Sequence, residues 1–228
     1  MIEGCTAVIM AGGDSRRMGD DKATLLLGEQ TLLQRVADVV TPLFAQVLVS
    51  VRRPRPEIDL PQVCDVHADA GPLAGLYAAL DRATTPQAPW IFAVATDMPF
   101  VRPALIELLA ARRAGYDAVV PVVHGHPQPL AAFYAASALA PISALLETPG
   151  GRRSLRAALS QLNVCYVGQS ELIAADPQLR SFFDLDTPQD LAAARGDNPS
   201  RPPTAGSAEP LVRGGDHPLP PDKGGRGG

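Results

Sequence analysis

The sequence predicts an α/β fold, a mostly parallel sheet with helices on both faces. Short apolar, β-branched runs recur along the chain, and segments with helical spacing lie between them. Most of the runs also lack the polar alternation of a strand with one wet face, so they read as buried on both sides. Strands that alternate with helices need crossover connections, and crossovers cover both faces of a parallel sheet. In that architecture ligands bind beyond the carboxyl ends of the strands.

Taken in order, the first strand is expected at 6–10. Leu32, Leu33, Val36, Val39 and Val40 then recur at helical spacing. A strand at 46–51 precedes a second helical pattern from Leu76 to Ala83, and a third strand is expected at 91–95. Pro103 stands near the start of a helix carrying Leu105, Leu108 and Leu109. Strands at 118–123 and 130–134 follow. Thr187-Pro188-Gln189-Asp190 opens the last helix with a hydroxyl cap, a proline at the first helical position and an acid in the first turn. From Gly196 onward proline, glycine and polar residues replace apolar periodicity, and such a segment cannot repay the entropy of ordering. The expectation is one folded domain over 1–195 and a disordered Pro/Gly-rich tail over 196–228.

With 46% apolar residues the chain can bury one sizeable core. A net charge of -4 argues against a general nucleic-acid coat, which needs clustered lysine and arginine. Cys5, Cys64 and Cys165 are odd in number and lack CxxC spacing, so they read as reduced core thiols. No run approaches the roughly 18 to 20 apolar residues of a membrane span, and Glu3 precedes the first apolar run where a signal peptide would be basic. A cytoplasmic protein is expected.

The first strand leads into Met10-Ala11-Gly12-Gly13-Asp14-Ser15-Arg16-Arg17-Met18-Gly19-Asp20-Asp21-Lys22. Small residues let backbone N–H groups approach a polyphosphate, and Arg16, Arg17 and Lys22 supply the charge to neutralise it. Neither a P-loop nor a dinucleotide fingerprint matches this spacing. Asp97 directly follows the third central strand, where a carboxylate faces the ligand crevice. A single aspartate suits Mg²⁺, which is held by one or two carboxylates together with substrate phosphates and retained water.

Met10 to Lys22 resembles the L-A-G-G-x-x-x-R-M-G-x-x-K signature of nucleotidyltransferases with a Rossmann-like α/β fold, and within them the molybdenum cofactor guanylyltransferase family. The resemblance continues through Gly71-Pro72-Leu73-Ala74-Gly75, Thr96-Asp97-Met98-Pro99, Gln128-Pro129 and 182–191, and so covers roughly residues 6–195. It implies transfer of GMP from GTP to the terminal phosphate of molybdopterin, with Mg²⁺ as cofactor and pyrophosphate as the second product. By matching positions, Met10, Ala11, Gly12 and Gly13 would line the base and phosphates. Ser50 and Asp65 would contact the nucleoside, although a bulkier amide is common at the position of Ser50. Arg17 and Lys22 would stabilise charge on the leaving pyrophosphate, and Asp97 would bind the metal. Related cytidylyltransferases tend to carry Ala-Ala-Gly where this chain has Ala11-Gly12-Gly13, which favours guanine.

On the acceptor side the resemblance implies a hydrogen bond from the pterin to Gln128. Asp184 and Asp186 stand where many relatives show Asn-x-Asn-Thr-Pro, and an ionised aspartate only accepts hydrogen bonds where asparagine also donates. The resemblance thus implies GTP and molybdopterin as small-molecule partners, and allows transient contact with molybdoenzymes or their chaperones. Two other readings stay open at this point: a related transferase using CTP or another triphosphate on a pterin or sugar phosphate, and a non-catalytic nucleotide or cofactor carrier. Gly71-Pro72-Leu73-Ala74-Gly75 is expected just ahead of a helix, with Asp69 before it touching ribose or capping the turn. His124 and His126 lack a third metal ligand, and Trp90 and Phe92 read as core.

Overall fold

The computed structural model describes residues 1–12, 22–65, 71–150, 153–185 and 188–195. The expected tail at 196–228 lies outside them. The main sheet is built from β1 (Cys5–Met10), β4 (Val47–Val51), β5 (Gln62–Cys64), β6 (Trp90–Ala95), β7 (Ala118–Val123), β9 (Ala131–Ala135) and β10 (Val164–Val167), in the order β10-β7-β9-β6-β1-β4-β5. A short β8 (His126–Pro127) adds to β7, and β2 (Leu26–Leu27) pairs with β3 (Gln30–Thr31) as a separate hairpin. β5, β4, β1 and β6 run parallel, as do β7 and β10; β9 runs antiparallel to both of its neighbours. The sheet is thus mostly parallel, with β9 and the short β8 reversed.

Strand alternation builds two layers of core. In β1, Cys5, Ala7 and Ile9 face one layer while Val8 and Met10 face the other; in β6, Phe92 and Val94 oppose Ile91 and Ala93. The first layer is closed by α1 (Leu32–Val40), α3 (Pro103–Ala110) and α6 (Gln169–Ala175). The second is closed by α2 (Gly71–Ala83), α4 (Leu139–Glu147) and α5 (Leu155–Leu159). Burial on both faces explains why the central strands read as continuous apolar runs. A smaller cluster of Leu27, Leu32 and Leu185 lies under α7 (Pro188–Arg195).

Local chemistry sets the helix starts. Thr31 and Gln34 form a reciprocal cap on α1, with the Gln34 N–H donating to Thr31 Oγ1 (3.1 Å) and the Thr31 N–H to Gln34 Oε1 (2.9 Å). Pro103 opens α3 as expected. The Gly71 to Gly75 motif corrects its expectation: it forms the first turns of α2 and does not precede it. Proline is tolerated there because the first N–H groups of a helix have no intrahelical acceptor to lose.

Cys5 is buried, Cys64 and Cys165 are half-buried, and all three are free thiols. Phe92 is wholly buried, whereas Trp90 is half-buried at the rim of its core layer with the Arg113 guanidinium 5.8 Å from its ring centre. No helix among the described residues is long and apolar enough to cross a membrane.

Candidate active site

A cleft of about 250 Å³ opens at the carboxyl ends of the parallel strands. Met10 ends β1, Ser50 stands next to last in β4, Asp65 follows β5, and Asp97 stands two residues past β6; all four line the cleft. Gln128 reaches the same edge because β9 is reversed, so the start of β9 lies beside the end of β6, with Val94 opposite Ala131. Asp184 arrives from the segment before α7. With Gly12, seven site residues named from the sequence, drawn from distant parts of the chain, therefore share one cavity.

Backbone bonds hold these positions. The Ala11 N–H donates to Ser50 O (2.8 Å), and the Asp65 N–H to Val51 O (3.2 Å). Thr96 is buried and ties the third strand to the first, its N–H (3.2 Å) and Oγ1 (2.9 Å) both donating to Met10 O. Asp97 follows directly, and its own carbonyl accepts the Leu185 N–H (3.0 Å), which fixes the Asp184 segment against it. A tilted contact of Phe100 with Phe183, 6.0 Å between ring centres, packs the same two segments together.

Absent side chains shape the floor. A Cβ on Gly75 would stand 3.0 Å from both Met10 Cε and Ser50 Oγ, closer than side chains ordinarily pack. Gly71, at φ +57°, starts α2 in the left-handed region that glycine adopts without strain. Ser50 is buried, and its Oγ donates to Gly75 O at 3.5 Å.

The charge pattern is one-sided. Asp65, Asp97 and Asp184 all line the cleft, and among its described lining residues there is no lysine or arginine. Gly12, which precedes residues 13–21 in the chain, and Asp65 and Gly71, which flank residues 66–70, line the cleft. Gly13, Arg17, Asp69 and Asp186 lie outside the described residues, and only the backbone of Lys22 is described, opening a short 3₁₀ turn over Lys22–Thr24. Among the described residues no group of three His, Cys, Asp or Glu side chains is placed to hold a metal ion.

Four further lining residues, Ala95, Met98, Leu130 and Leu155, were not singled out from the sequence. Met98 and Leu130 adjoin named residues, so their motifs pointed to them. Leu155 comes from α5, and nothing local in the sequence marks it. His124 and His126 are exposed on the β7 to β8 hairpin and are not part of the cleft wall.

The sheet and its carboxyl-edge cleft define the α/β nucleotidyltransferase class. Its fold recurs in a 2-C-methyl-D-erythritol 4-phosphate cytidylyltransferase from Thermus thermophilus, at 20% identity and TM-score 0.55 over 83% of this chain and 97% of that one. The profile of the MobA-like NTP transferase domain matches residues 7–163, and the chain belongs to that family. A probable molybdenum cofactor guanylyltransferase from Pelotomaculum thermopropionicum is 37% identical over 192 residues, 83% of this chain and 91% of the relative. The crystal structure of molybdopterin-guanine dinucleotide biosynthesis protein A from Archaeoglobus fulgidus matches at TM-score 0.73 and 31% identity, covering 84% of this chain and 97% of that chain. The protein is a nucleotidyltransferase.

Proposed function

We propose that the chain transfers GMP from GTP to the terminal phosphate of molybdopterin, giving the guanine dinucleotide form of the cofactor and pyrophosphate. What supports this most is the meeting of Met10, Gly12, Ser50, Asp65, Asp97, Gln128 and Asp184 in one cleft. The names of the full-length relatives point to the same donor and acceptor.

In the proposed reaction an oxygen of the acceptor phosphate attacks the α-phosphorus of GTP. A new P–O bond forms, the bond from that phosphorus to the bridging oxygen breaks, and pyrophosphate leaves with the electron pair. The acceptor phosphate is already ionised near neutral pH, so no general base is needed. The difficulty is electrostatic, because two anions must meet in a cleft whose described charged groups are carboxylates.

Asp97 fits a hard divalent cation: it offers one oxygen-donor carboxylate at the strand end, and no protein-only cage surrounds it among the described residues. The Asp97 carboxylate would hold Mg²⁺, which when bound would supply Lewis-acid neutralisation of phosphate charge. Arg17 offers a two-pronged hydrogen bond to the departing pyrophosphate, and Lys22 a compact charge. Ser50 and Asp65 contact the nucleoside, while Gln128 and Asp184 receive N–H groups of the pterin ring.

The test is to incubate the full chain with Mg²⁺, molybdopterin and each of the four nucleoside triphosphates, and to identify products by mass. The guanine dinucleotide and pyrophosphate are the expected products. Faster reaction with CTP would overturn the guanine assignment, and GTP binding without turnover would overturn the enzymatic reading.

A further inference from the structure

The wall that carries Gln128 is a turn fixed at nearly every backbone group. The Gln128 N–H donates to Pro121 O of β7 (2.8 Å), the Ala131 N–H to Gln128 O (3.2 Å), and the Ala95 N–H of β6 to Leu130 O (2.8 Å). Pro129, at the centre of the turn, has no N–H to give, and its carbonyl is taken by a side chain. Tyr134 Oη donates to Pro129 O at 2.8 Å from beneath the sheet.

Tyr134 is wholly buried and is the largest such side chain among the described residues. Burial, with a smaller contribution from Tyr166, pushes its ionisation far above the usual range, so the phenol remains a donor. Phenylalanine would fill nearly the same volume, as Phe92 and Phe133 do in the opposite layer. The hydroxyl is therefore available for a task other than packing, and among the described residues it bonds to the turn that lines the cleft.

We propose that Tyr134 is a positioning residue of the acceptor subsite, its hydroxyl holding the Pro129 carbonyl so that Gln128 is presented to the acceptor in one orientation. The Gln128 side-chain nitrogen donates to His126 O at 3.3 Å, which leaves the carboxamide oxygen for a ligand N–H. The ligand class is a heterocycle with amide or amino donors. This inference rests on the acceptor reading above, and acts through Gln128 without Tyr134 touching substrate.

Tyr134→Phe in the full chain tests it, with Mg²⁺, GTP and molybdopterin. Loss of one buried hydrogen bond is expected to raise the KM for molybdopterin about tenfold, with the KM for GTP changed less than about twofold. In a Gln128→Ala background the same substitution is expected to add less than about twofold, because the two residues act as one unit. Equal rises in both KM values, or fully additive effects, would overturn the proposal. Amide hydrogen exchange on the protein alone separates this inference from the acceptor reading. Exchange at Gln128 and Ala131 is expected to quicken about tenfold in Tyr134→Phe whatever the acceptor, and unchanged exchange would overturn the clamp. Should the wild type act only on another acceptor, the acceptor reading falls, and the same KM split is read on that compound.

Discussion

The two walls of the cleft are built on opposite principles. On the proposed nucleotide side, Gly12, Gly71 and Gly75 keep side chains away, and Met10 and Ser50 lie so close to Gly75 that even a methyl group would crowd them. On the proposed acceptor side, Gln128, Pro129, Leu130 and Leu155 present side chains from a turn and a capped helix. In the proposed reaction the first wall would make room for backbone to approach a polyphosphate, and the second would read a ring. Asp97 joins them, preceded by Thr96 bonded to Met10 and itself bonded through its carbonyl to Leu185.

That contrast breaks most severely at its junction. Asp97→Asn is expected to lower turnover by about 10²- to 10³-fold, the usual cost of losing one electrostatic stabiliser of a transition state, with circular dichroism and melting temperature little changed. Arg17→Ala should lose about 10²-fold by the same logic, with the deficit in kcat. For either variant, a rate within a few-fold of the parent contradicts the assigned role.

Two milder substitutions sharpen the comparison by splitting the substrates. Gly75→Val overpacks the floor at a cost of about 1–3 kcal/mol, read as a raised KM for GTP and a lower melting temperature, with the KM for molybdopterin unchanged. Gln128→Ala is its mirror: about a tenfold rise in the molybdopterin KM and none for GTP. Steady-state kinetics with each substrate varied in turn checks both, and a shared rise in either variant would merge the two walls into one.

The smallest effect lies at the opposite end of β1 from the cleft. Burial pushes the Cys5 thiol from 9.0 up to about 12, against a lesser pull from Arg113. The unfolded chain thus releases this proton from pH 9 while the folded chain keeps it to about 12. Between those values the unfolded state binds fewer protons, so stability falls as pH rises. Urea unfolding across that window should show the decline, and Cys5→Ala should flatten it without altering turnover at neutral pH.

The fold was legible where burial on two faces wrote itself into the sequence. β1, β4, β6 and β7 were expected within a residue of where they lie, and α1, α3 and α7 were found from spacing, Pro103 and the Thr187-Pro188 start. The reversal of β9 was not legible, because an apolar run carries no direction and the link from β7 is short: the His124-Gly125 turn, β8 and the turn at 128–130. β5 and β10 are short edge strands with mixed exposure, too brief to show a period. α4 was hidden by Pro141 near its start.

The site divided in the same way. Asp97, Gln128 and Asp184 could be named because each stands in a motif next to a turn or strand end. Leu155 could not, since only the packing of α5 on the second core layer brings it to the cleft. The Gly71 to Gly75 run was misplaced by one structural step: glycine and proline read as breakers, yet at the first turn of α2 they admit a close approach to β1 and β4.

The central claim is that one triphosphate is gripped from two directions, by the basic segment after Gly12 and by a cation on Asp97. A crystal structure with Mn²⁺ and a non-hydrolysable GTP analogue, with the metal located by its anomalous signal, tests it most directly. The account predicts manganese on the Asp97 carboxylate, with Arg17 and Lys22 on the phosphates of the same nucleotide. Manganese elsewhere, or those two cations turned away from the Asp97 side of the triphosphate, would contradict it.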